Sequence, residues 1–312
     1  MRATKLKLSA VPKEQMLINI QNIHIQSVKT LSNQDVHTDI LRLDLIHPVI
    51  SGNKWFKLKY YLDEALTTNA NKLASFGGAY SNHIVALALA GKEAGIPTIG
   101  FIRGDGDTAL SPTLKEAVSY GMELQFVNRT DYRDKQQIQD TYHQSGWYWI
   151  PEGGYGLLGA KGAADILNIQ DTSNYTHIIC AVGTGTMMAG LRMSANPSQE
   201  IIGISVLKNH FSITKEIEQI IMLSPKKNSD FQCLHGYDWG GYAKHPPELL
   251  SFMQQFWLAE KIPTDFVYTA KMLYAVHDLI QKEFFTSGSR LLLIHSGGLQ
   301  GNRSLPPHIL PF

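Results

Sequence analysis

Lys54 stands directly after the small-residue turn Ser51-Gly52-Asn53 and directly before an amphipathic stretch, which is a setting where a lysine becomes a nucleophile. Trp55, Leu58, Leu62, Ala65 and Leu66 recur at helical spacing behind it. The leucine-rich, β-branched run Ile40 to Ile50 ahead of it reads as a strand. Lys54 is thus expected at a helix start, where partial positive charge disfavours an ammonium and lowers its pKa. A less basic lysine attacks aldehydes readily. On this segment alone, an idle lysine in a polar loop is the simpler reading.

Three further turns are rich in glycine and hydroxyls. Gly77-Gly78-Ala79-Tyr80-Ser81-Asn82-His83 lies between the strand-like Leu73 to Phe76 and an apolar helix-like run from Ile84 to Ala90. Ser81 reads as an N-cap. That leaves the glycine pair unexplained, and paired glycines at a helix start let backbone N–H groups approach a carboxylate or phosphate. Gly183-Thr184-Gly185-Thr186 follows the run Ile178 to Val182 and precedes Met187 to Arg192, a geometry suited to phosphate. No lysine follows at Walker spacing, and Ala189 occupies the place of a third dinucleotide-fold glycine. Nucleotide hydrolysis and a nucleotide-binding oxidoreductase are both disfavoured. The last turn, His295-Ser296-Gly297-Gly298, closes the run Leu291 to Ile294 and offers the Ser296 hydroxyl to a heteroaromatic nitrogen; His295 reads as packed.

Sheets and helices must position these turns. The periodicity predicts strands over 72–76, 97–103, 122–127, 147–150, 177–182, 201–207 and 290–295. Helices are predicted over 55–67, 81–94, 112–120, 133–145, 159–168, 187–195, 247–260 and 270–284. Such alternation is an α/β fold with mostly parallel sheets flanked by helices, and its ligands sit at the carboxyl ends of strands. A length of 312 residues with 44% apolar content accommodates two domains. Formal net charge is +1, from 28 basic and 27 acidic residues without a basic stripe, so nucleic-acid binding is disfavoured. Cys180 and Cys233 are the only cysteines, which excludes a disulfide framework and a cysteine-based metal site; both are expected to be core thiols. The first thirty residues form no signal-peptide core, and no apolar run reaches membrane-spanning length, so a cytoplasmic location is expected.

Taken together, Ser51 to Leu58, Ser75 to His83, Ala181 to Leu191, Asp265 to Lys271 and His295 to Gly298 resemble the fold-type-II pyridoxal phosphate enzymes. The resemblance is strongest to the 1-aminocyclopropane-1-carboxylate deaminase and D-cysteine desulfhydrase family. It implies two open twisted sheets with the cofactor, pyridoxal 5'-phosphate, in the cleft between a small domain (52–145) and a larger one (1–51 plus 146–312). By the same resemblance Lys54 holds the cofactor aldehyde covalently and moves protons at the substrate carbon, the second lysine, Lys57, being the competitor for that place. Asn82 bonds the cofactor's phenolic oxygen, Ser81, Asn82 and His83 with neighbouring amides hold the substrate, and Gly183, Thr184, Gly185 and Thr186 cradle the phosphate. Tyr268 serves as acid or base near the ring. Tyr242 matches a second active-site tyrosine, although a core aromatic accounts for it nearly as well.

The deaminase branch carries glutamate, leucine and glutamine where this chain has Thr269, Ser296 and His83. The resemblance therefore leans to β-elimination from D-cysteine, with opening of the cyclopropane substrate as the alternative and a non-catalytic cofactor carrier as a reading of another class. Phe56 stands where relatives carry arginine, so a surface or substrate-facing charge is missing. A small amino-acid substrate and a homodimer are implied, with no metal.

Overall fold

The computed structural model describes residues 18–106, 109–223 and 230–312. Residues 1–17, the beginning of the N-terminal piece assigned to the larger domain, lie outside the described residues. Two sheets organise the chain. The larger has the order β1-β2-β10-β7-β8-β9, made of Ile25–Ser27, Val36–Arg42, Ser289–His295, His177–Val182, Glu200–Ser205 and Phe231–Leu234. The smaller has the order β5-β4-β3-β6, from Glu123–Val127, Thr98–Arg103, Lys72–Gly77 and Trp147–Ile150. Every pairing is parallel except β1 with β2. Parallel neighbours need crossovers, and the helices between the strands supply them. Burial on both faces explains the continuous apolar runs of β7 and β10.

The small sheet continues through β6, because Lys72 to Ser75 pair with Trp147 to Ile150. It therefore extends past position 145, where the sequence placed the boundary. Strand β2 also ends earlier than the run Ile40 to Ile50 suggested. After Arg42 the chain turns into a short 3-10 segment, Leu43–Leu45. Arg42 and Asp44 lock there in a buried two-pronged ion pair at 2.9 and 2.7 Å. His47 Nδ1 then accepts the N–H groups of Val49 and Ile50, closing a turn around Pro48, which has no N–H to give a ladder.

Helix α1 (Asn53–Thr67) joins the two halves. Its inward residues Trp55, Leu58, Leu62 and Ala65 are buried, and Trp55 and the two leucines each contribute about 1.5–3 kcal/mol through burial. One buried cluster runs from Leu73 and Ile84 of the small half through this helix to Ile178 and Leu292 of the large one. Phe56 is part of that core at 2% exposure, so the position carries no outward or substrate-facing side chain. The backbone of α1 meets α5 (Leu157–Ala164) where a side chain on Gly162 would overlap the carbonyl of Phe56. Packing of α5 against α6 (Thr186–Ser194) then brings α1 within reach of the 183–186 turn.

Candidate active site

Lys54 is the second residue of α1, at the helix start where the spacing predicted it. Gly52 enables this placement. It has φ 60° and ψ −136°, and a Cβ there would overlap the carbonyl oxygen of Ser296, which instead accepts the Asn53 N–H at 3.1 Å. The turn before Lys54 is thereby tied to the turn after β10. Lys54 Nζ donates to Asn53 Oδ1 at 2.9 Å. Its pKa falls to about 8, chiefly through burial, with the Asp265 carboxylate opposing the fall. Desolvation, rather than the helix-end charge invoked from sequence, is thus the main cause.

Lys57 lies one turn on, buried, with Nζ 3.3 Å from Thr184 Oγ1. Burial first and the charge of Lys54 second push its pKa well below the ordinary lysine value. Gly183 to Thr186 form the bend between β7 and α6, with Gly185 left-handed at φ 73° and the Thr184 and Thr186 hydroxyls 3.2 Å apart. Gly183 also borders Tyr268, whose Cε1 stands 3.2 Å from where a Cβ on that glycine would be.

Across the cleft, Ser81 caps α2 (Asn82–Ala94) by accepting the Ile84 N–H at 3.3 Å, so the cap reading holds. Asn82 Nδ2 donates to the Gly298 carbonyl at 3.2 Å, linking the two halves, while its Oδ1 is buried without a partner. His83 is 2% exposed. Ser75 Oγ uses its one proton on the Ile150 carbonyl at 2.7 Å, so it accepts from His83 Nε2–H at 2.8 Å. His83 Nδ1 is then a bare, buried acceptor. Burial, followed by the charges of Lys54 and Lys57, pushes this imidazole down to about 3.

Tyr268 sits at the start of α9 (Thr269–Gln281), and its ring meets that of Tyr242 edge-on at 6.1 Å. Tyr242 is 47% exposed, so the core-aromatic reading does not describe it. Loss of hydration around the hydroxyls raises both phenols, although the Tyr242 side chain as a whole is half exposed; Tyr242 raises Tyr268 further, whereas Tyr268 lowers Tyr242. Ser296 is buried beside the Lys54 turn. Thr269, at the position of the deaminase branch's glutamate, commits its hydroxyl to Asp265: Oγ1 donates to Asp265 Oδ1 at 2.7 Å and accepts the Asp265 N–H at 2.7 Å. His295 is fully buried, as read, with Nε2 on the Pro263 carbonyl at 2.7 Å. Cys180 is a core thiol, whereas Cys233 on edge strand β9 is only part-buried.

The family model for pyridoxal-phosphate dependent enzymes matches residues 19–297. This chain belongs to that family. As a member it uses pyridoxal phosphate, and its two-sheet architecture is fold type II. A Thermotoga maritima protein named "Putative 1-aminocyclopropane-1-carboxylate deaminase" is 29% identical over 304 residues, covering 91% of this chain and 96% of that one. The 1-aminocyclopropane-1-carboxylate deaminase of Rhizobium radiobacter is 26% identical, covering 80% and 82%. A crystal structure of a homologue of that deaminase superposes with a TM-score of 0.80 at 26% identity, covering 95% and 94%.

The donor set fits this cofactor. A part-neutral amine, a second lysine against a glycine-threonine nest, and two orphaned acceptors, Asn82 Oδ1 and His83 Nδ1, converge on one cleft. Sequence reasoning missed Asp265, which is fully buried and accepts the N–H groups of Val267, Tyr268 and Thr269 at 2.8 to 3.0 Å. An aspartate at a helix start is the signal that finds it. Asn53 was also missed, as was Lys57 as a partner of the nest. Among the described residues, no group of three or more His, Cys, Asp or Glu could hold a metal, and no helix is long and apolar enough to cross a membrane.

Proposed function

We propose that this enzyme performs β-elimination on a small amino acid, with D-cysteine the substrate that fits best, giving pyruvate, ammonia and sulfide. The observation that carries the reading is the edge-on contact of Tyr242 with Tyr268, which borders the Gly183 bend, together with a neutral Ser296, in place of an acid, buried against the turn before Lys54. When bound, pyridoxal phosphate withdraws electrons from the substrate carbon. Lys54 is the residue that would hold it covalently, Gly183 to Thr186 with Lys57 would hold its phosphate, and Asn82 and Ser296 would contact its ring. The Ser81 hydroxyl and the free N–H groups at the start of α2 bind the substrate carboxylate, with His83 behind them as a neutral acceptor. Lys54, as a free amine, takes the proton from the substrate α-carbon. Tyr268, kept protonated by burial, gives a proton to the departing thiolate and recovers one through Tyr242.

A second reading, opening of 1-aminocyclopropane-1-carboxylate to 2-oxobutanoate and ammonia, is favoured by the names of the relatives. A neutral Ser296 leaves the ring a weaker electron sink, which suits prompt loss of a thiolate over the longer-lived carbanion of ring opening. The two domains proposed are the halves built on the two sheets, and a cytoplasmic homodimer is the assembly proposed.

The test is turnover by purified enzyme supplied with pyridoxal phosphate, on D-cysteine, L-cysteine and the cyclopropane amino acid. Equal release of sulfide and keto acid from D-cysteine is expected. Keto acid without sulfide, or turnover of the cyclopropane substrate alone, rejects the elimination reading. Ser296→Ala is expected to slow turnover; an unchanged rate removes its ring role.

A further inference from the structure

Lys271 is fully buried on the first turn of α9 and makes no ion pair among the described residues. Its ammonium instead donates to two main-chain carbonyls, those of Asp238 at 2.9 Å and Gly241 at 2.8 Å. A buried cation without a carboxylate contact is costly, and its place needs a reason. The reason lies in the segment it grips. Between Gly236 and Ala243 the backbone is left-handed at Gly236, Trp239, Gly240, Gly241 and Ala243, with φ from 54° to 128°. Trp239 and Ala243 are not glycines, and such a conformation persists only where the surroundings over-determine it. Trp239 stands edge-on to Tyr274 of α9 at 4.7 Å, and Tyr242 meets Tyr268 at the head of the same helix.

We propose that the Lys271 ammonium is the positioning residue of the tyrosine pair, clamping the 236–243 loop onto α9 and so fixing the Tyr242 hydroxyl against Tyr268. Both carbonyls also accept turn N–H groups, Asp238 O from Gly241 at 3.0 Å and Gly241 O from Lys244 at 3.2 Å, so the charge-assisted bonds from Lys271 tie two closed turns to α9, and an apolar side chain of equal length leaves the turns but not the tie. The charged groups facing Lys271 are Asp238, whose carboxylate accepts the Gly240 N–H at 2.9 Å, and Asp265, which caps α9. Burial outweighs both and lowers the Lys271 pKa to about 8, so the clamp weakens above that pH. The clamp stands on its hydrogen-bond geometry and its pH response on the effect of burial; its catalytic consequence rests on the proposed use of the tyrosines.

Two experiments on the cofactor-loaded enzyme test it. Lys271→Met is expected to keep the visible cofactor band and cooperative melting while kcat falls tenfold or more and KM changes less than threefold. Tyr242→Phe added to that variant should lose no more than twofold further, because the clamp acts through Tyr242. Losses that multiply overturn the proposal. Independently of turnover and of any variant's folding, acrylamide quenching assigned to Trp239 by difference from Trp239→Phe should rise between pH 7 and 9.5 with a midpoint near 8. Quenching that stays flat in the parent and is no higher in Lys271→Met at pH 7 overturns the clamp. A quenching rise in an enzyme inactive on every substrate keeps the clamp and rejects the elimination reading.

Discussion

Lys57 Nζ and Thr184 Oγ1 stand 3.3 Å apart, joining the second turn of α1 to the glycine-threonine bend that opens α6. Lys54 and Lys57 are three residues apart on one helix, so they face the same cleft, but only Lys57 reaches the bend. Under the proposed function the two lysines divide one cofactor between them, Lys54 at its aldehyde and Lys57 at its phosphate. Lys54→Ala is expected to abolish the visible cofactor band. Lys57→Ala is expected to keep the band at saturating cofactor while weakening affinity by about 10- to 100-fold, which corresponds to one charge-assisted bond of about 1.5–3 kcal/mol. Absorbance titration of both variants checks this. Retention of the band in Lys54→Ala and its loss in Lys57→Ala would exchange the assignments.

The acidity of Lys54 has a kinetic signature. Burial lowers its pKa to about 8, so the nucleophilic amine grows as pH rises through that value and is complete above it. Cofactor-free enzyme mixed with pyridoxal phosphate should form its band faster with rising pH, levelling above about 9, one unit past the pKa. Asp265 is the charge that opposes the shift, and Asp265→Asn should move the midpoint to lower pH. Rapid-mixing spectra from pH 6 to 9.5 measure both. A midpoint near the ordinary lysine value of about 10.4 contradicts the burial argument.

The Gly52 contact makes a prediction about assembly. Any side chain there meets the Ser296 carbonyl, and φ 60° with ψ −136° belongs to glycine alone. Gly52→Ala is expected to cost about 3 kcal/mol or more, combining backbone strain with overpacking. Urea unfolding followed by circular dichroism reads the loss. The variant should also weaken cofactor binding, because Lys54 and Ser296 are held by the same contact. A midpoint within error of the parent would mean that the two turns part without cost.

Local signals made much of this site legible. The helix after Lys54 announced itself through Trp55, Leu58 and Leu62, all of which face the core, and the glycine-rich turns marked where strands end. What escaped is long-range or competitive. Lys271 finds its carbonyls at Asp238 and Gly241, some thirty residues back, and no local pattern encodes that. The Thr269 hydroxyl is taken up by Asp265, four residues earlier, a competition that residue type alone does not reveal. Helix α7, Ile213–Met222, was passed over although Ile213, Ile217, Ile220 and Ile221 form one buried stripe, a periodicity that reasoning from motifs alone does not search for. The over-long strand at Ile40 to Ile50 failed because apolar composition was followed through Asp44 and Pro48, where an ion pair and a missing N–H end the ladder.

His83 sets the response to acid. With Nε2–H committed to Ser75 and Nδ1 buried without a partner, its ring is neutral at about 3 and above, while in the unfolded chain it protonates near 6.5. The unfolded state therefore binds the proton first. The contribution of His83 to stability is complete above pH 6.5 and is lost as pH falls from there toward 3. Between pH 7 and 4.5 that loss is about 2–3 kcal/mol in the parent. His83→Gln removes the titration and keeps a side chain able to donate to Ser75. Its urea midpoint should accordingly fall less than the parent's over the same interval, whatever its stability at pH 7. Parallel curves for the two proteins would show that the imidazole is charged in the folded state, and that Nδ1 has found a partner in solution.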